Sequence, residues 1–167
     1  MQQLKLMETT VEPLGYFITW TVYGTFLQGD DRWWRKKREG SQRPQPRLEQ
    51  WHRNRLKYDV VLLSFEQRQI VESEICLHCG IRQWKLWIAN PRTNHVHVVV
   101  TALGFHGAKV RDQLKANCTR ALRARDKQFV ERPIWTVGGD WQCLNTEEEL
   151  EQAILYAGQA QDRMEYK

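Results

Sequence analysis

Asn94-His95-Val96-His97-Val98-Val99-Val100 is an apolar, β-branched run that carries two histidines set two positions apart. Valine suits a pleated, buried surface, so the run predicts a strand over 94–102. Side chains on a strand alternate between faces. His95 and His97 therefore project together, followed by Val99, while Val96, Val98 and Val100 line the opposite face. Upstream, 84–89 reads as a second strand, and Asn90-Pro91-Arg92-Thr93 has the composition of a turn, which makes the pair a hairpin.

The same logic extends in both directions. Tyr16-Phe17-Ile18-Thr19-Trp20-Thr21-Val22-Tyr23 is β-branched and aromatic, and Gly24 closes it as an opening strand. Ser64 with Gln67 three residues later has the form of a capping box. Val71, Ile75 and Cys79 then recur four apart until Gly80, where the helix is expected to stop. Val110, Leu114, Cys118, Ala121 and Leu122 form one apolar stripe over 107–125, a second helix. A strand around 135–144, bent at Gly138-Gly139, precedes a last helix capped by Asn145 or Thr146, whose Glu147, Glu148 and Glu149 suit the positive end of its dipole. The order is β, α, β, β, α, β and a terminal helix. This predicts an α+β, ferredoxin-like βαββαβ antiparallel sheet with two helices on one face and a C-terminal, tyrosine-bearing helix.

A chain of 167 residues is expected to form a single domain over 1–167. A break in the pattern at about 28–58, punctuated by Gly29, Gly40, Pro44 and Pro46 and containing Arg35-Lys36-Lys37-Arg38, reads as a long, mobile, basic insertion with a short helix near its end. The first thirteen residues lack an uninterrupted apolar segment, and no run of about 18 apolar residues occurs anywhere, which argues against a signal peptide and a membrane span. The expected location is cytoplasmic.

The formal charge is +5, and the cations cluster among aromatics, which favours a polyanionic partner. Of eight tryptophans, Trp20, Trp84 and Trp87 fall within strand patterns and are expected in the core. Trp33, Trp34 and Trp51 lie among arginines, where indole faces can stack on unpaired bases. Of the four cysteines, Cys76-x-x-Cys79 has no second pair at zinc-finger spacing, and all four are read as buried free thiols without function.

Paired imidazoles repel when protonated and gain when a divalent ion bridges them, so His95 and His97 are candidate metal ligands. On the last helix Leu150, Ala153, Ile154 and Ala157 form the buried stripe, and Tyr156 stands beside it. A phenol is a poor nucleophile at neutral pH unless a cation or base stabilises its phenolate, and an adjacent metal supplies that. His52, His78 and His106 read instead as solvent or cap residues.

Taken together, the His-Val-His strand, the βαββαβ order and a single tyrosine on a later helix followed by an amide resemble the HUH endonucleases with one tyrosine, the IS200/IS605-type transposases and their REP-associated relatives. Thr19-Trp20-Thr21-Val22-Tyr23-Gly24-Thr25 with Gly29-Asp30 is similar to the opening strand of transposase-like members, and the resemblance spans about 16–162. It implies that His95, His97 and an amide hold Mg²⁺ or Mn²⁺. It also implies that Tyr156 attacks one phosphodiester of single-stranded DNA, leaving a 5′-phosphotyrosine and a free 3′-OH that a second strand can use. Many members place the amide four residues after the tyrosine, where this chain has Ala160. Gln159 lies about 60° round an ideal helix from Tyr156, and Gln161 about 140°. Gln161 matches the family sequence better but requires the helix to unwind near Gly158.

Such an enzyme must hold a single strand beside a hairpin. The expected contacts are Arg32, Trp33, Trp34, Arg35, Lys36, Lys37 and Arg38 in the insertion, and Lys109, Arg111, Lys115, Arg120 and Arg123 on the second long helix. The resemblance admits a monomer or a homodimer, with Tyr156 serving its own subunit or a partner's. Two rival readings are a domesticated hairpin-binding protein that does not cut and a small zinc hydrolase using the same histidines.

Overall fold

The computed structural model describes residues 11–159, apart from positions 33 and 37 and the side chain of Arg35. In chain order the elements are β1 (Gly15–Thr21), β2 (Trp34–Lys36), β3 (Gly40–Gln42), α1 (Pro46–Arg53), α2 (Phe65–Arg82), β4 (Lys85–Pro91), β5 (His95–Thr101), α3 (Gly107–Arg125), a 3-10 turn (Lys127–Phe129), β6 (Asp140–Leu144) and α4 (Glu147–Gln159). β4, β5, β1 and β6 form one sheet in that order, with all three pairings antiparallel. Setting aside the small β2–β3 sheet, this is the ferredoxin-like arrangement.

Strand alternation sorts the interior into two layers. Tyr16, Ile18 and Trp20 of β1, Val22 just after it, and Val96, Val98 and Val100 of β5 bury one face against Val71, Ile75 and Cys79 of α2 and Val110, Leu114, Cys118 and Leu122 of α3. On the other face Val99 and Leu144 meet Ala153 and Ala157 of α4, with Phe17, Ile88, Leu150 and Ile154 packed around them. Among the described residues α4 is thus the one helix on the face that carries the odd-numbered residues of β5. No helix of the described residues is long and apolar enough to cross a membrane.

α2 begins where the sequence signals it. The Ser64 hydroxyl accepts from the Gln67 N–H at 3.2 Å, and the Ser64 N–H donates back to Gln67 Oε1 at 2.8 Å. It does not stop at Gly80, which keeps the helical conformation rather than the left-handed one of a helix end. The helix ends at Arg82, and Gln83 takes the left-handed conformation with φ 58°. Ser64→Ala should cost about 1 kcal/mol of stability, read as a lower urea midpoint with an unchanged slope.

Three other expectations change. Leu86 pairs with Val100 and Ile88 with Val99, so Trp87 is an extra residue in a β-bulge. It is pushed outward, where Lys85 lies over its ring at 3.8 Å. The insertion holds an ordered hairpin, β2–β3, besides the expected short helix. Gly29 fixes its return: with φ +92°, a Cβ there would lie 2.5 Å from both Gln45 O and Glu49 N. Finally, Cys79 and Cys118 are buried free thiols, the former pushed up to about 12 by burial, whereas Cys76 and Cys143 are exposed.

Candidate functional site

The α4-bearing face gathers the polar residues of three strands. Thr21 of β1 lies opposite His95 of β5, and Thr19 opposite His97; Asn90 of β4 lies on the other side of His97. The two imidazole centroids are 4.5 Å apart, and His97 is largely buried while His95 is half-buried. His97 Nδ1 lies 2.8 Å from the Thr19 hydroxyl, and His95 Nδ1 lies 2.5 Å from Asn94 Oδ1. An amide oxygen only accepts, so the contact requires a proton on His95 Nδ1. The Thr19 hydroxyl permits the same tautomer at His97. Fixing the inner nitrogen of each ring with an oxygen is how metal-ligating histidines are oriented. Two imidazoles held in this way are nitrogen donors of the kind a divalent ion takes.

α4 brings Tyr156 to this pair. Its start is capped by Thr146 Oγ1, which accepts from the Glu149 N–H at 3.1 Å, while Glu149 Oε2 accepts from the Asn145 N–H at 2.6 Å. Its far end is tied down by Asn90 Nδ2, which donates to Ala157 O at 2.6 Å. Ala157 is fully buried, its small side chain letting the helix lie close to the sheet. That seating leaves Tyr156 48 % exposed, with its ring edge-on to His97 at 5.7 Å and to Phe17 at 5.8 Å. Phe17 in turn stacks on His97 at 5.3 Å. The tyrosine is thus neither locked in the core nor turned away from the histidines.

Among the described residues no group of three or more His, Cys, Asp and Glu side chains is placed to hold a metal. The sequence-derived third ligands are both amides. Gln159, the last residue of α4, is exposed, and Gln161 lies outside the described residues. The helix does not unwind at Gly158 but continues through Gln159.

Most of the expected DNA contacts are otherwise engaged. Trp34 is 4 % exposed and its indole N–H donates to Arg43 O at 3.1 Å, so it is the hairpin's own core and presents no face for stacking. Arg32 donates to Asp30 Oδ1 through Nε at 2.6 Å and to Thr25 O at 2.8 Å. Burial alone would raise the Asp30 carboxyl, but the hydrogen bonds and charge of Arg32 hold it below its ordinary range. Lys36 pairs with Glu39 at 2.7 Å, and Arg38 is exposed at a turn with φ 71°. Trp33 and Lys37 lie outside the described residues, as does the side chain of Arg35.

α3 packs on the opposite side of the sheet from His95 and His97. Its cations largely serve the loop that follows it. Lys115 donates to Thr136 O and Gly138 O at 2.8 and 2.6 Å, Arg111 to Gly139 O at 2.9 Å, and Arg123 to Phe129 O and Arg132 O at 3.0 and 3.1 Å. Burial pulls the Lys115 ammonium below its ordinary pKa, and the charge of Arg111 adds to this. Arg120 bonds Asn117, and Lys109 is exposed. Much of the charge on this helix is therefore engaged with carbonyls of the loop that follows it, while Lys109 stays exposed.

Of the other histidines, His106 caps α3 as expected, whereas His78 is not at solvent or a cap but buried between α2 and α3 beside Gln113 and Asn117. Phe17, Thr19, Asn90 and Asn94 were not singled out by sequence. Only strand pairing shows that Thr19 faces His97, although its parity with Phe17 on β1 already put the two on one side.

No family model matches the chain, and no curated protein matches it. Among solved structures it is similar to a protein of Deinococcus radiodurans R1 described as a "putative transposase", at 11 % identity and TM-score 0.44, covering 92 % of this chain and 96 % of that one.

Proposed function

We propose that this chain is a divalent-metal-dependent nuclease of the transposase type that cuts and rejoins single-stranded DNA through Tyr156. One observation supports the reading above the rest: an exposed phenol stands 5.7 Å, ring to ring, from one of two histidines whose inner nitrogens are both fixed by oxygens. His95 and His97 would hold Mg²⁺ or Mn²⁺, with Gln159 or Gln161 as the amide ligand. When bound, the cation polarises the scissile phosphate and screens the charge developing on it. Imidazoles and an amide are neutral donors, so the full positive charge is left to act on the phosphate.

Tyr156 Oη loses its proton and attacks phosphorus, the bond from phosphorus to the 3′-oxygen breaks, and that oxygen takes up a proton. The products are a 5′-phosphotyrosine and a free 3′-OH. The phosphotyrosine keeps the energy of the original ester, so a 3′-OH from another strand can reverse the step without ATP. Phe17 and His97 limit where the phenol can sit, and orientation of this kind is a large part of what a protein adds to phosphoryl transfer. Because phenol and histidines meet within one chain, the geometry favours use of Tyr156 in cis. The partner is single-stranded DNA beside a hairpin.

The test is incubation with Mn²⁺ and a labelled pool of hairpin oligonucleotides with randomised flanks, followed by a denaturing gel. A protein-linked fragment is expected. Binding without such a fragment would favour the non-cutting hairpin binder, and zinc-dependent hydrolysis of a small ester with no adduct would favour the hydrolase. Thr19→Val, which keeps shape and removes the partner of His97 Nδ1, should weaken Mn²⁺ binding by about 10–100-fold in a calorimetric titration, while Thr19→Ser retains it.

A further inference from the structure

α1 presents a feature that the cutting reaction does not use. Trp51 is 50 % exposed on a helix that buries none of its residues, an unusual place for the largest apolar side chain. The Arg55 guanidinium lies over its ring at 3.9 Å, and His52 meets it edge-on at 4.9 Å. Arg47, Trp51 and Arg55 are spaced by four, so they share one stripe along α1 and its exit. The indole also borders a depression of about 770 Å³ lined by Gln45, Pro46, Arg47, Leu48 and Trp51. Arg53 is engaged by Glu49 one turn away, the one acid within 43–57, so that acid is spent on Arg53 rather than on Arg47 or Arg55.

We infer that this stripe is a stacking site for an unpaired nucleobase of a DNA single strand, with Arg47 and Arg55 taking the flanking phosphates. An apolar recess beside an exposed indole accepts a base plane, with Arg55 over the ring and Arg47 one turn back on the helix as cations for phosphate. The inference deepens the DNA reading, but it concerns binding, so it stands or falls separately from cleavage by Tyr156.

The test compares binding of fluorescein-labelled dT20 and an equally long abasic strand, which keeps the phosphates and lacks the bases, by fluorescence anisotropy without metal. Trp51→Ala should weaken dT20 binding by about tenfold and leave the abasic strand within twofold, whereas Trp51→Phe should retain most of the dT20 affinity. Arg47→Gln and Arg55→Gln should weaken both strands and flatten the salt dependence of log K by about 0.7 per charge removed. Unchanged circular dichroism and melting temperature confirm that each variant is folded. Equal losses on both strands in Trp51→Ala, or no loss on either, would overturn the inference even if Tyr156 forms its adduct. Persistence of the Trp51-dependent difference in a protein that forms no adduct would sustain the inference while the nuclease reading fails.

Discussion

Tyr156→Phe should abolish the covalent protein–DNA product, lowering cleavage by at least about 10³-fold, the scale on which removal of a covalent nucleophile is felt. The change deletes one oxygen and leaves the ring, so the edge-on contacts with His97 and Phe17 survive and the melting temperature should hold. Single-strand binding should persist in the variant. A variant that binds normally and yields no adduct places the loss in chemistry; one that cuts at the wild-type rate would remove Tyr156 from the reaction.

His97→Ala should be nearly as severe, for a different reason. It removes one of two imidazoles 4.5 Å apart and strips Thr19 and Phe17 of their neighbour, so Mn²⁺ affinity should fall by more than about 100-fold, and cleavage with it. His97→Ala also opens a gap beside Phe17, and some loss of stability is expected. His95→Ala separates the effects. His95 is the less buried ring, so that variant should lose metal binding with a smaller change in melting temperature. Calorimetric titration with Mn²⁺ checks both variants, and metal affinity that survives in both would show that the pair is not the metal site.

The elements that could be read from the chain were those whose periodicity meets a buried face. Alternation in 94–100 put His95 and His97 with Val99, and in the structure Val99 is the core residue under α4 while the histidines stand beside it. The stripe 110, 114, 118, 122 and the capping box at Ser64 were legible for the same reason. Register was not. That Thr19 meets His97, and Asn90 ties down Ala157 O, depends on how separate segments pair, which no local pattern encodes. The bulge that turns Trp87 outward lies in an otherwise regular strand pattern.

Charge in the sequence does not say what each cation touches. Lys115, Arg111 and Arg123 are expected at DNA from the sequence, and in the structure they donate to carbonyls of the following loop, whose demand for donors is invisible until the chain is folded. Trp34 sat among cations and turned out to be the interior of a small hairpin. Conversely, the exposed Trp51 differs from it in sequence only by lying on a short helix with arginines four residues to either side.

The most direct measurement is mass spectrometric mapping of the protein after incubation with Mn²⁺ and the hairpin oligonucleotide pool, with nuclease trimming of the attached strand. The account predicts a nucleotide joined through its 5′-phosphate to Tyr156 and to no other tyrosine. A modified residue elsewhere, or an unmodified Tyr156 in protein shown to bind both metal and DNA, would contradict it.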